Sequence, residues 1–230
     1  MLESLKEEVY EANMDLVAKG VVIYTWGNVS GIDRGRGIFA IKPSGVPYDE
    51  LRPADIVLVD LESGVVVEGL LRPSSDAPTH AVLYRSFESI GGVTHTHSRS
   101  AVAFAQAGMA IPALGTTHAD YFYGEIPCAR ALTEAEVGEA YELNTGEVIA
   151  EAFVHLDPVA VPGSLVKGHG PFAWGKSAAE SVYHAVVLEE TAAMALSTLQ
   201  LNPAAELEAY VLEKHYQRKH GKNAYYGQVK

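Results

Sequence analysis

His95 and His97 stand two residues apart in Gly91-Gly92-Val93-Thr94-His95-Thr96-His97-Ser98-Arg99. Two glycines followed by β-branched residues predict a buried strand. Residues two apart on a strand share a face, so the two imidazoles start roughly 6–7 Å apart at the backbone. Both rings can reach one divalent ion from there, and neutral imidazole is a common ligand for such ions. Taken alone, the pair reads equally as two partly buried histidines satisfied by hydrogen bonds.

A zinc site takes three or four protein ligands, so further candidates belong on loops at strand ends. His169, in Lys167-Gly168-His169-Gly170-Pro171, follows an expected strand and is flanked by glycines that let backbone approach closely. A turn histidine in solvent would have the same local sequence. Asp76, in Pro73-Ser74-Ser75-Asp76-Ala77-Pro78, stands just before an expected helix, where Asp also serves as an ordinary N-cap.

Two loops suit a small phosphate. Lys42-Pro43-Ser44-Gly45 and Ser74-Ser75 offer hydroxyls and backbone N–H groups, the second pair at a helix N-terminus that favours anions. Gly27 and Asn28 can add donors. Pro-Ser-Gly and Ser-Ser are also common turn sequences. The stretch Thr116-Thr117-His118-Ala119-Asp120-Tyr121-Phe122-Tyr123-Gly124 gathers an acid, a histidine and two tyrosines. That content suits acid–base chemistry or a tyrosine-rich interface. His215-Tyr216-Gln217-Arg218-Lys219-His220-Gly221 is locally basic; it either complements a helix C-terminus or forms a positive lid over an anionic substrate. Beyond His95, His97 and His169, the other histidines (His80, His118, His155, His184, His215 and His220) lack a ligand's setting, and most are expected to be structural or superficial.

The elements that must position these residues follow from periodicity. Leu2, Leu5, Val9, Ala12, Leu16 and Val17 share one helical face, which predicts a helix from about Leu2 to Lys19 ended by Gly20. Thr25-Trp26-Gly27-Asn28-Val29-Ser30-Gly31 reads as turn-prone. Strands are expected at 38–42 and 56–59, then a hairpin turn at Glu62-Ser63-Gly64 into 65–67. Pro78 opens a helix to Phe87. Ser98 caps a helix ended by Gly108. Thr133-Glu134-Ala135-Glu136 and Ser177-Ala178-Ala179-Glu180 are capping-box patterns for helices reaching about Ala152 and Leu201. Short strands are expected near 159–161, 165–167 and 171–174, and a last helix from Pro203 to about Lys219. Strands and helices alternate, but several turns are too short for parallel crossovers. The expectation is an α/β chain with a mixed sheet between two layers of helices. A TIM barrel needs eight strand–helix units over about 250 residues and does not fit.

Composition narrows the class. The 230 residues are 48% hydrophobic and 20% charged, enough for a sizeable core. With no linker or internal repeat, one domain spanning 1–230 is expected. The formal charge of −12 argues against a nucleic-acid surface, which needs clustered Lys and Arg. Cys128 is the only cysteine, so an intramolecular disulfide and a thiolate zinc cluster are both excluded. The acidic, amphipathic start does not resemble a signal peptide, and no apolar run reaches the roughly 20 residues of a membrane span. The chain is expected to be soluble and cytoplasmic, with no membrane partner.

Seven ordered motifs together resemble the class II aldolase/epimerase family over nearly the whole chain. They are 25–30, 42–46, 73–76, 95–98, 115–124, 169–175 and Ala224-Tyr225-Tyr226-Gly227-Gln228. The resemblance implies a three-layer α/β/α sandwich around a mixed, largely antiparallel sheet. It implies a zinc site (Mn2+ or Co2+ being alternatives) made by Asp76, His95, His97 and His169. It implies substrate contacts from Gly27, Asn28, Ser44, Gly45, Ser74 and Ser75, with Asp120 and Tyr226 as the acid–base pair. It further implies a homotetramer with active sites between subunits, in which Tyr226 and His215 reach a neighbour's metal. Lys167-Gly168 departs from the family's pattern and alters what surrounds His169.

The tail motif and the Asp120 segment point to the family's epimerases and to inversion at C4 of L-ribulose 5-phosphate. The hydrogen on C4 is not adjacent to the carbonyl, so enolisation alone cannot invert that centre. Breaking C3–C4, rotating the aldehyde and remaking the bond can. The alternatives are a fuculose- or rhamnulose-phosphate aldolase that releases its products, a metal-dependent hydrolase, and a non-catalytic binding module. A dinuclear hydrolase site would carry an acid two residues after His97, where this chain has Arg99. A binding module need not keep all four candidate ligands.

Overall fold

The structure is a computed structural model that describes residues 2–226; Gly227 and Gln228 of the tail motif lie outside the described residues. In chain order the elements are α1 (Leu2–Ala18), β1 (Gly27–Asp33), β2 (Ile38–Ile41), β3 (Val57–Asp60), β4 (Val66–Glu68) and α2 (Ala77–Ser86). Then follow β5 (Gly92–Thr96), α3 (Arg99–Ala107), α4 (Thr116–Ala119), β6 (Cys128–Ala129) and α5 (Glu134–Ala152). The chain continues with β7 (Gly163–Val166), β8 (Pro171–Gly175), α6 (Ala178–Leu201) and α7 (Ala209–His220).

The strands form one sheet in the order β4-β3-β2-β1-β5-β8-β7-β6. Every pairing is antiparallel except β6 with β7. Period-two alternation sends neighbouring side chains to two separate cores. Ala40 and Leu58 pack with Leu5, Val9 and Leu16 of α1 and with Val182 of α6. Phe39, Ile41, Val57 and Val59 pack with Leu83 and Tyr84 of α2 and Ile149 of α5. The three-layer architecture follows: β2 and β3 are apolar on both faces because both faces are covered.

Three expectations are corrected. Residues 25–31, read as turn-prone, lead straight into β1, which pairs with both β2 and β5. Its polar residues look turn-like but are buried and partnered: Asn13 of α1 bonds both the N–H and the C=O of Val29, while Asn28 and Ser30 bond Asp76 and residues of α2. A Cβ on Gly27 would lie 2.9 Å from the carbonyl oxygen of His95, so only glycine allows that approach. Residues 159–161 are not a strand; the N–H groups of Ala160 and Val161 both donate to the carbonyl of Asp157, closing a turn. The last helix begins at Ala209, not at Pro203, with residues 203–208 outside it. The short α4 and β6 were not expected; both are too brief to show a periodic pattern.

The helix ends are partly as the sequence suggests. Thr133 and Glu136 make the full capping box, and Ser177 accepts from the Glu180 N–H. Ser98 holds the N-cap position of α3, but its side chain makes no capping bond. Glu189 of α6 takes that role instead, accepting from the N–H groups of Ser100 and Ala101 at 2.8 and 2.9 Å. Among the described residues no helix is long and apolar enough to cross a membrane.

Candidate metal and sugar-phosphate site

β5 ends at Thr96, and His97 lies one residue beyond it, yet the two rings still meet. Their Nε2 atoms are 3.1 Å apart, and the His95 and His169 ring centroids are 4.8 Å apart. One ligand nitrogen from each of the three histidines falls within 4.8 Å of the others. His169 reaches the group on the turn between β7 and β8. Gly168, at φ +77°, supplies the left-handed residue that this turn requires, and its N–H donates to the carbonyl of Ala105.

The protonation of this cluster suits a cation. His95 Nδ1 is 2.9 Å from the carbonyl oxygen of Pro171, an acceptor, so Nδ1 carries the proton and Nε2 presents its lone pair. Burial, with the neighbouring His95 and His97, pulls His169 down to about 3, and burial beside His95 lowers His97. Ring nitrogens held neutral in this way are the form that binds metal. Two nitrogens on one tetrahedral zinc at about 2.0–2.1 Å each would be roughly 3.3 Å apart, close to the separation found. The residues therefore fit a divalent metal.

Asp76 lies outside the close histidine trio but lines the same cavity. It occupies the N-cap position of α2 and makes no side-chain capping bond, so the ordinary role for an Asp there is not the one it plays. Asn28 Nδ2 donates to its Oδ2 at 2.7 Å. Burial would raise the Asp76 carboxyl, but His95, His80, the Asn28 bond and His169 outweigh it and hold the group below its ordinary range.

The cavity has a volume of about 430 Å³. Its walls include Asp76, His95, His97 and His169 together with Gly27, Asn28, Ser44, Gly45, Ser74 and Ser75. All ten residues expected to bind metal or substrate thus share one cavity. The loops at 42–45 and 73–76 are joined by backbone bonds, Ser44 N–H to the Arg72 carbonyl and Ser74 N–H to the Lys42 carbonyl. Lys42 is buried under the loop; its ammonium donates to the carbonyls of Pro43 and Val46 and lies 4.8 Å from the Tyr48 ring centroid. Burial lowers it to about 8.

Residues 7–196 match the family described as the class II aldolase and adducin N-terminal domain. The chain is 58% identical over 228 residues to the L-ribulose-5-phosphate 4-epimerase UlaF of Salmonella paratyphi B, covering 99% of this chain and 100% of that relative. The chain belongs to the class II aldolase family. Among solved members of similar fold, an L-fuculose 1-phosphate aldolase superposes with a TM-score of 0.78 at 23% identity, over 94% of this chain and 95% of that one. The L-fuculose-1-phosphate aldolase of Thermus thermophilus gives 0.68 at 28% identity, over 89% and 98%. The three-layer, largely antiparallel sandwich expected of a class II aldolase is the fold found.

Three expected site residues of this family member lie elsewhere. Asp120, His215 and Tyr226 are absent from the cavity walls; they gather at the end of α4, on α7 and on the segment after α7. Asp120 Oδ1 accepts from His215 Nδ1 and Arg218 Nε, each at 3.0 Å, and its Oδ2 is 2.6 Å from Arg218 Nη2. The Tyr226 ring lies 4.8 Å from the Arg218 guanidinium carbon and 4.5 Å from Lys219 Nζ. Burial raises the Asp120 carboxyl, but the Arg218 and His215 hydrogen bonds prevail and keep it low. The Asp120 carboxyl is ionised at neutral pH.

Tyr141 and Glu142 line the same cavity and were not expected there. The Tyr141 hydroxyl is 3.4 Å from His169 Nδ1. Helix α5 breaks at Ala140 (φ −158°, ψ 74°), immediately before them. Gly138, a poor helix former two residues earlier, is the one local hint of the break; Ala140 itself is the best of helix formers.

Proposed function

We propose that this chain is a divalent-metal-dependent L-ribulose-5-phosphate 4-epimerase, interconverting L-ribulose 5-phosphate and D-xylulose 5-phosphate. Identity of 58% across 99% of the chain to an enzyme of that name carries the reading. The convergence of three histidines, Asp76 and two phosphate-type loops on one cavity supports it.

Asp76, His95, His97 and His169 would hold the metal, with zinc suited to the nitrogen-rich set. When bound, such an ion would supply Lewis-acid stabilisation of the negative charge that develops on bond cleavage, worth several kcal/mol. Ser44, Gly45, Ser74 and Ser75 would grip the 5-phosphate, their loops tied together at Lys42 and Arg72. Asn28 Oδ1, buried and without a protein partner among the described residues, is free to accept from a substrate hydroxyl.

The reaction needs one proton moved twice. A base takes the proton from the C4 hydroxyl; the C3–C4 bond breaks, its electron pair passing into the enediolate of the three-carbon fragment and C4 becoming the aldehyde of glycolaldehyde phosphate. After rotation the enediolate re-adds to the other face, and an acid returns a proton to the new C4 oxygen. Asp120 and Tyr226 fit these exchanging roles, with His215 and Arg218 orienting the carboxylate. Because their cluster stands apart from the cavity of its own chain, the reading requires the cluster of one copy to act on the metal site of another. A homotetramer with shared sites, working in the cytoplasm, suits that requirement.

Incubating the metal-loaded protein with L-ribulose 5-phosphate tests the reading. D-Xylulose 5-phosphate should appear, without net release of glycolaldehyde phosphate. Net release of the aldehyde with no D-xylulose 5-phosphate would instead make the chain an aldolase.

A further inference from the structure

Asp76 at the N-cap of α2, then His80 and Tyr84 within it, follow at four-residue intervals, which places them on one face. Strand β1 carries Asn28 and Ser30 two residues apart, facing that helix. The two rows are joined by hydrogen bonds: Asn28 to Asp76, then Ser30 Oγ to His80 Nδ1 and to the Tyr84 hydroxyl, all at 2.7 Å. Ser30, His80 and Tyr84 are fully buried, with no solvent exposure. Helical repeat and strand repeat are close in length here, about 6 Å for four residues of helix and roughly 6.6 Å for two of strand. The polar row therefore stays in register from the cavity down into the core.

The direction of the hydrogen bonds can be assigned. Burial holds Tyr84 protonated and His80 neutral. Among the described residues, Ser30 Oγ is the acceptor within reach of the Tyr84 hydroxyl. Tyr84 thus donates to Ser30, and Ser30 donates to His80 Nδ1. A neutral imidazole whose Nδ1 accepts must carry its proton on Nε2. That Nε2 is buried and has no partner among the described residues. One helical turn before it stands Asp76, whose charge acts on the His80 ring.

We propose that His80 is a positioning residue for the metal site, held through Ser30 and Tyr84 so that its Nε2–H is presented to Asp76 across one buried water. The contact fixes the rotamer of the carboxylate and leaves its other oxygen free to face the three histidines. Asn28 and His80 then hold the acid from two sides, as metal-ligating carboxylates are commonly held. The inference rests on the assignment of Asp76 as a ligand.

The test compares two variants by their affinity for zinc, measured by competition with a chromophoric chelator, and by the thermal stability of the metal-free protein. His80→Gln keeps an amide N–H near the position of Nε2; His80→Asn keeps only a group near Nδ1. His80→Asn should weaken zinc binding by about 10-fold or more and His80→Gln by much less, the range for removing a partner of a ligand being about 10–100-fold. Both should lose similar stability without metal. Wild-type affinity in His80→Asn, or equal losses of affinity in the two variants, would overturn the proposal. If His80→Asn does not fold, Ser30→Ala replaces it: several-fold weaker zinc binding is expected, and unchanged affinity would overturn the idea. Asp76→Asn separates the two levels. Unchanged zinc affinity in that variant removes the ligand assignment itself, whereas weakened affinity there with none in His80→Asn removes only the role of His80.

Discussion

His95 and His97 hold their Nε2 atoms 3.1 Å apart, while His95 Nδ1 is committed to the carbonyl of Pro171. Two imidazole lone pairs face each other at that distance only with a proton or a cation between them, and a cation engages the nearby His169 as well. His97→Ala should therefore empty the site of metal while the fold survives, because His97 lies beyond β5 at the cavity wall. Elemental analysis checks it; a full metal complement would remove His97 from the ligand set.

Asp120 is kept ionised by Arg218 and His215, as a proton acceptor requires. Asp120→Asn preserves size and much of the hydrogen bonding but cannot take a proton. Turnover should fall by about 10²–10⁴-fold, the usual contribution of general acid–base catalysis, with metal content unchanged. Activity near that of the parent would exclude Asp120 from proton transfer.

Grouping Asp120 with Tyr226 also determines which variants can complement. If one copy's cluster serves another copy's metal, mixing His97→Ala with Asp120→Asn subunits should restore activity. A His97→Ala copy still donates a sound cluster to a sound metal site. Mixing Tyr226→Phe with Asp120→Asn should restore none, since every cluster then lacks one of its two groups. Rescue in the second mixture and not in the first would mean that the two residues act from different copies.

His80 is pulled down to about 3 by burial, against about 6.5 when exposed. Below about pH 6.5 the unfolded chain takes up a proton that the folded chain refuses. The stability linked to this group is fully present above that pH and is lost as the pH falls toward 3, at about 1.4 kcal/mol per pH unit. The metal-free protein should show a melting temperature that falls from pH 7 to pH 5, and His80→Gln should flatten that slope. An unchanged slope in the variant would show that His80 takes up no proton on unfolding.

The sequence by itself determined what neighbours along the chain can encode. The apolar runs of β2 and β3, the Thr133–Glu136 capping box and the two-residue spacing of His95 and His97 are all local, and each is found. The motifs at 42–45, 73–76, 95–97 and 169 also carried enough family likeness to name one site before any contact was known. Tertiary structure alone decided which of those motifs share a cavity and which do not. Asp120 meets Arg218 across 98 residues of chain, and no local pattern fixes that pairing over a reach to the metal. The same is true of β1, whose polar residues look like a turn until Asn13, Asp76 and His80 are seen to partner them. A polar side chain declares its chemistry in the sequence; its burial, partner and charge depend on what long-range packing brings beside it.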